Sequence, residues 1–196
     1  MFLTRALEWS GVEANSELLA QFEVYRQWLG TEAVAAGGVG PEEVSRLEER
    51  HLADSLLFAG IWDGDLPHPV LDVGTGVGLP GIPLALAHPQ RHFVLLDRSR
   101  RRIGLAHRAV RILGLGNVEL VETDVDSYDW REHTVVSRAS LPPAALLDLA
   151  QRKGEPVELL VAGSHRGRPE VTGYQTIEIP VEILDRAVWI LRMAQS

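Results

Sequence analysis

The sequence predicts an α/β fold: a doubly wound, mostly parallel sheet preceded by helices and closed by an antiparallel hairpin. Three observations carry this expectation. Residues 70 to 81 read as an apolar strand, a turn with alternate glycines and a proline, which is the strand, glycine turn and helix that opens such a sheet. Five apolar β-type runs then alternate with helical periods, as parallel crossover units require. Two last β-type runs follow one another closely enough to pair as a ribbon.

The elements follow in order. Residues 1–10 are too short for periodicity to decide and are expected as a helical arm. Leu18, Leu19, Phe22, Tyr25, Trp28 and Leu29 recur at helical spacing, with Ser16 placed to cap the start and Gly30 the end. Residues 31–40, rich in alanine and glycine, read as a flexible connection. Pro41 opens a helix, with Glu42 and Glu43 near its positive end. Its apolar stripe runs through Val44, Leu47, Leu52, Leu56 and Phe58 and is expected to pack on the first strand. The division expected is a helical extension over 1–62 and the α/β domain over 63–196.

The first strand and glycine turn come next, then a helix from Pro80 to about His88, and a strand ending at Asp97. Ser99 caps an arginine-rich helix that Gly114 and Gly116 close. Val118 to Val121 is the third strand, Thr134 to Val136 the fourth and Val157 to Val161 the fifth, with a helix from Pro142 between the last two. Residues 175–179 and 187–191 form the ribbon.

The turn is built for a ligand. Asp72, Gly74, Gly76 and Gly78 alternate, and glycine both permits left-handed backbone and removes side chains that would hold a ligand off the main chain. Gly76 to Gly81 formally fits the dinucleotide pattern G-x-G-x-x-G, and Asp97 lies about 20 residues on. A carboxylate at the mouth of that turn, however, repels a pyrophosphate and suits a cation. S-adenosylmethionine carries a sulfonium and an ammonium and no phosphate, and so matches Asp72 better than NAD does. Asp97 is then placed to accept from both ribose hydroxyls. The plain alternative is that Asp72 only caps backbone amides.

Composition bounds the rest. The net charge is -8, so any nucleic-acid contact must be local. Two clusters are basic: Arg98, Arg100, Arg101, Arg102, Arg108 and Arg111, and Arg152, Lys153, His165, Arg166 and Arg168. They read either as solvated surface or as an RNA-facing patch. The chain has no cysteine, which excludes disulfides, iron-sulfur radical chemistry and covalent cysteine adducts to pyrimidines. No apolar run of signal-peptide or membrane-spanning type is seen, no metal motif appears, and a cytoplasmic, soluble protein is expected.

His51-Leu52-Ala53-Asp54-Ser55-Leu56, the run from Asp72 through Gly81 to Leu84, Leu95-Leu96-Asp97 and Ser137-Arg138-Ala139 together resemble the RsmG (GidB) family. The resemblance covers about His51 to Ala139. It implies a Rossmann-like class I methyltransferase using S-adenosylmethionine on N7 of a guanine in 16S ribosomal RNA, with the small ribosomal subunit or its RNA as partner. It implies cofactor contacts from Gly74 and Leu79 in the turn that also holds Thr75, a ribose acid at Asp97, and adenine contacts from Val125 and Asp126. It implies that Arg138 lies beside the cofactor and the reacting centre, and that Arg186 approaches the RNA. The chain departs from the family at Trp28-Leu29-Gly30-Thr31, where the family has Trp-Asn and then Asn-Leu-Thr, and at Ala162-Gly163, where it has a lysine before glycine.

Guanine N7 has a lone pair and no proton, so its methylation needs alignment and no general base. Arg138 is the catalytic candidate, orienting guanine O6 or the cofactor carboxylate, or else pairing structurally with Asp124 or Asp126. Arg166, Arg168 and Arg186 are the substrate candidates. Because both departures fall on the substrate side, a methyltransferase with another RNA or small-molecule substrate and a non-catalytic cofactor binder stay open.

Overall fold

The computed structural model describes residues 1–62, 68–163 and 167–194. Its sheet contains β1 (Val70–Val73), β2 (Phe93–Asp97), β3 (Val118–Glu122), β4 (Thr134–Ser137), β5 (Glu158–Ala162), β6 (Tyr174–Ile179) and β7 (Val188–Met193). The order is β3-β2-β1-β4-β5-β7-β6. The first five strands are parallel, and β7 runs antiparallel to both β5 and β6. The order reverses between β1 and β4, so their carboxyl ends splay and open a crevice.

Helices cover both faces. On one lie α1 (Phe2–Trp9), α2 (Ser16–Trp28), α3 (Asp54–Leu56), α4 (Gly81–Ala87) and α5 (Arg100–Leu113), sharing one core with Phe93, Leu95 and Leu160. On the other, α6 (Pro143–Lys153) packs Leu146, Leu149 and Ala150 with Trp130 against Leu71, Val73 and Leu159. A short α7 (Val181–Leu184), absent from the sequence expectation, joins β6 to β7. Buried residues of 1–62, from Leu3 to Trp62, are thus part of the main core.

Several expectations need correction. Asn15, and not Ser16, caps α2 by accepting from the Leu18 N–H at 2.9 Å. Residues 31–35 are helical: a π-turn over Leu29–Ala33 continues α2, because Ala33 is buried and the alanines favour helix until Gly37 at φ +66° stops it. Residues 41–60 do not form one α-helix. They pass through a 3-10 segment Pro41–Arg46, a π segment Leu47–Ala53, α3 and a second 3-10 segment Leu57–Gly60, and they pack chiefly on α1, α2 and α4, in the core cluster that also holds Val70 of β1. π-turns change which side chains share a face and recur at functional sites.

Candidate functional site: two adjoining clefts at the carboxyl edge of the sheet

The glycine turn is held from both sides. Gly74, Gly76 and Gly78 have φ of +75°, +61° and +101°, so all three need left-handed backbone. Below the turn, the buried Tyr25 hydroxyl donates to the Val77 carbonyl at 3.0 Å, which ties α2 to the loop. In front of it, a Cβ built on Gly76 would meet no heavy atom within 4 Å, whereas one on Gly74 would lie 2.3 Å from Ser140 Cβ. Space stands open before Gly76.

Beside the turn lies a cleft of about 570 Å³ lined by Gly74, Asp97, Val125, Asp126, Ala139 and Leu141 among others. The volume is in the range of small-molecule sites. Asp97 is only 3% exposed, yet it lines the cleft. Its Oδ2 accepts from Gly76 N–H at 3.1 Å, and its Oδ1 accepts from Ser99 N–H at 2.8 Å. Arg102 Nη1 stands 3.6 Å from Oδ2, too long for a hydrogen bond, and each carboxylate oxygen has a second lone pair with which to accept from a hydroxyl. Val125 and Asp126 occupy a 3-10 turn, Val125–Ser127, set by Asp124 accepting from Asp126 N–H at 3.0 Å. Arg152 reaches the same rim and pairs with Asp126 at 3.1 Å and Asp148 at 3.0 Å. It is therefore a wall of this cleft and not part of a free basic patch.

Asp72 is not at the mouth of the turn. It is fully buried behind it, and its Oδ2 accepts from Gly81 N–H, at the start of α4, at 2.8 Å. Burial pushes its carboxyl up to about 6, against the opposing pull of its hydrogen bonds and of Arg138. The amide-capping alternative describes its contact. The argument against a dinucleotide changes form but keeps its direction, since a pyrophosphate needs the helix end that Asp72 already fills. Thr75, Gly78 and Leu79 are likewise buried and shape the turn, with Thr75 O accepting from both Gly78 and Leu79 N–H at 2.9 Å.

Arg138 faces a different cleft. Its Nη1 donates to the Arg50 carbonyl at 2.8 Å and lies 3.4 Å from Asp54 Oδ2, and its Nη2 is 3.5 Å from His51 Nδ1. Its acidic partner is Asp54, neither Asp124 nor Asp126, because the segment 41–60 brings a buried carboxylate against the end of β4. Arg186 converges on the same carboxylate, 2.8 Å from Asp54 Oδ1 and 2.9 Å from Glu49 Oε1. It thus binds the chain to itself, with only 21% of its side chain exposed. Arg168 is exposed, and Arg166 lies outside the described residues.

The cleft that Arg138 lines holds about 600 Å³ and includes Glu43, Arg50, His51, Asp54, Gly163 and Pro169. It shares Ala139 and Leu141 with the first cleft, so the two meet just after β4. Ala139 at φ +56° makes the sharp turn between them. Sequence reasoning missed Glu43, Asp54, Ser140 and Leu141. The only signal for the first two was that His51 and Asp54 sat in a motif with no assigned task.

The sheet order and the glycine turn define the fold of class I S-adenosylmethionine methyltransferases. Solved structures show the same fold: MtNAS, a mutant in complex with S-adenosylmethionine, superposes with a TM-score of 0.63 at 14% identity, covering 92% of this chain and 74% of that one. Magnesium protoporphyrin IX methyltransferase from Synechocystis with bound SAM gives 0.58 at 19%, covering 90% and 97%. The chain belongs to the GidB family, rRNA small subunit methyltransferase G, whose model matches residues 18–166. Among proteins named ribosomal RNA small subunit methyltransferase G, that of Acidothermus cellulolyticus is 36% identical over 138 residues, 70% of this chain and 61% of the relative. Those of Mycobacterium marinum (40%, covering 63% and 54%) and Mycobacterium avium (35%, covering 81% and 66%) are similar. The chain thus spans between about half and two thirds of these relatives' length.

Among the described residues no helix is long and apolar enough to cross a membrane, and no group of three or more histidine, aspartate or glutamate side chains is placed to hold a metal.

Proposed function

We propose that the chain transfers a methyl group from S-adenosylmethionine to N7 of a guanine in 16S ribosomal RNA, acting in the cytoplasm on the small ribosomal subunit or its precursor. The observation that carries this reading is the junction of two clefts at Ala139 and Leu141, one lined by Gly74 and by Asp97, whose Oδ2 accepts from the Gly76 N–H, the other by Arg138. Family membership points to the same RNA, since the relatives' names specify it.

The first cleft suits the cofactor. Asp97 would hold the ribose hydroxyls, Val125 and Asp126 the adenine, and the backbone at Gly74 and the open face of Gly76 the methionine portion. S-adenosylmethionine supplies an electrophilic methyl on a positively charged sulfur. The chain itself has no proton to remove from N7. Its task is to hold the base edge at the junction and exclude misaligned approaches, which lowers the entropic part of the barrier. Because Arg138 lies in the second cleft, its role would be to donate to guanine O6. Ala162 and Gly163, where the family has lysine and glycine, leave that cleft without a lysine at this point.

The exposed arginines of α5 and its approach, Arg98, Arg100, Arg101, Arg102, Arg108 and Arg111, form the surface proposed to meet phosphate, with Arg166 and Arg168 beyond β5. Each neutralised phosphate contributes about -0.7 to -0.9 to the salt slope of binding. Replacing Arg166 and Arg168 together should flatten that slope for small-subunit binding and leave cofactor affinity alone. The overall reading is tested by titration calorimetry with S-adenosylmethionine and NAD, followed by methyl transfer to small-subunit RNA. Binding of NAD in place of S-adenosylmethionine would refute it.

A further inference from the structure

We infer that Glu43 is the residue that distinguishes guanine from adenine in the second cleft, accepting from guanine N1–H and N2–H, and that His51 is its positioning residue. This rests on the proposed reading of that cleft as the acceptor site.

Three of the polar groups that line the cleft form a chain of contacts. Arg138 stands at the end of β4, next to the junction at Ala139. His51 follows, its Nδ1 3.5 Å from Arg138 Nη2. Glu43 comes last, its Oε2 3.2 Å from His51 Nε2. A single neutral tautomer satisfies both contacts, with Nε2–H donating to Glu43 and Nδ1 accepting from Arg138. Burial, and then the charge of Arg138, lower the pKa of His51 below its ordinary value, which favours that neutral ring. The other Glu43 oxygen lies 3.4 Å from Arg50 Nη1, a long contact on a side chain that is still a quarter exposed. Glu43 lines the same cleft, and each of its carboxyl oxygens can accept more than one hydrogen bond.

The order of these groups matches one edge of a guanine. Travelling round the base from N7, one meets O6, an acceptor, and then N1–H and N2–H, two donors. With N7 at the junction, O6 falls toward Arg138, whose guanidinium has five N–H donors. The two donors on the next part of that edge are the ones inferred to meet Glu43. Adenine reverses both positions, presenting its amino group to Arg138 and a lone pair to Glu43. Two like-signed contacts then oppose it, which is how specificity is gained by rejection as well as by attraction.

The test uses the whole chain with S-adenosylmethionine and small-subunit RNA. After the methylated guanine is mapped, RNA is assembled by ligation with guanine or inosine at that position, since inosine keeps N7, O6 and N1–H and lacks only the 2-amino group. Wild-type chain should prefer guanine by about tenfold to a hundredfold in kcat/KM, the worth of one hydrogen bond to a charged acceptor. Glu43→Gln should lose activity on guanine and bring the ratio close to one, with unchanged S-adenosylmethionine affinity and thermal midpoint. His51→Ala should lower the ratio less, as befits a residue acting through another. Equal use of guanine and inosine by wild-type chain overturns the inference without any variant, and so does a Glu43→Gln chain that keeps the wild-type ratio. N7 methylation by wild-type chain in either case leaves the proposed function standing, whereas its complete absence removes that function and this inference together.

Discussion

Asp97 Oδ2, at the end of β2, lies 3.1 Å from the backbone nitrogen of Gly76, in the turn after β1. This hydrogen bond fixes the distance between an acid and an open glycine that the chain separates by 20 intervening residues. The same carboxylate accepts from Ser99 N–H, so the start of α5 is held too.

Replacing Asp97 with alanine should weaken S-adenosylmethionine binding by about 1.5 to 3 kcal/mol, the value of hydrogen bonds to a charged group. Calorimetric titration measures this directly. Unchanged affinity would show that the ribose is held elsewhere.

Gly76→Val should abolish cofactor binding with a modest loss of stability. The added branches project into open space and not into protein, but φ +61° disfavours any β-branched residue. The strain should cost about 1–2 kcal/mol. A variant that melts slightly earlier and still binds normally would move the ligand away from this turn.

Asp72 gives a pH prediction. Its folded pKa of about 6 lies above the ordinary 3.8, so between those values the folded chain binds more protons than the unfolded chain. Stability therefore falls as pH rises through this window, and Asp72 contributes a penalty at neutral pH that is mostly absent at pH 4. The size is on the order of 2–3 kcal/mol. Asp72→Asn keeps an acceptor for Gly81 N–H and removes the titration. Urea unfolding at pH 4 to 7 should show the variant gaining on wild type as pH rises, and a constant difference would refute the assignment.

Asp54→Ala should be strongly destabilising. It leaves Arg138 and Arg186, both mostly covered, without their shared carboxylate. Breaking such a pair from one side costs about 3–5 kcal/mol when fully buried, and about 2–4 is expected here because both arginines keep some solvent contact. Because Arg138 is also freed, methyl transfer should fall further than unfolding explains when assayed well below the melting midpoint. Equal losses in stability and activity would make the network purely structural.

The sheet and the turn were legible because both rest on local rules. Alternating apolar runs mark strands, and glycines at every second position mark a ligand turn. Asp97 was found because the acid ends a strand at the expected spacing. The task of Asp72 was misread because sequence gives its position beside the turn but not the side to which its carboxylate points. The contacts of Arg138 and Arg186 escaped because Asp54 and Glu49 lie 84 and 137 residues away from them and meet them only through tertiary packing. The segment 41–60 hid its role for a related reason, since a helix that changes hydrogen-bond pattern carries no constant period.

The central claim is that this chain methylates N7 of a guanine in small-subunit RNA. Mapping N7-methylguanine in that RNA, from cells lacking the chain and from the same cells supplied with wild-type chain or Gly76→Val, tests it most directly. One N7-methylated guanine should be absent from the deletion strain, restored by wild-type chain and not restored by the variant. The same N7-methylguanine pattern in all three strains would contradict the account.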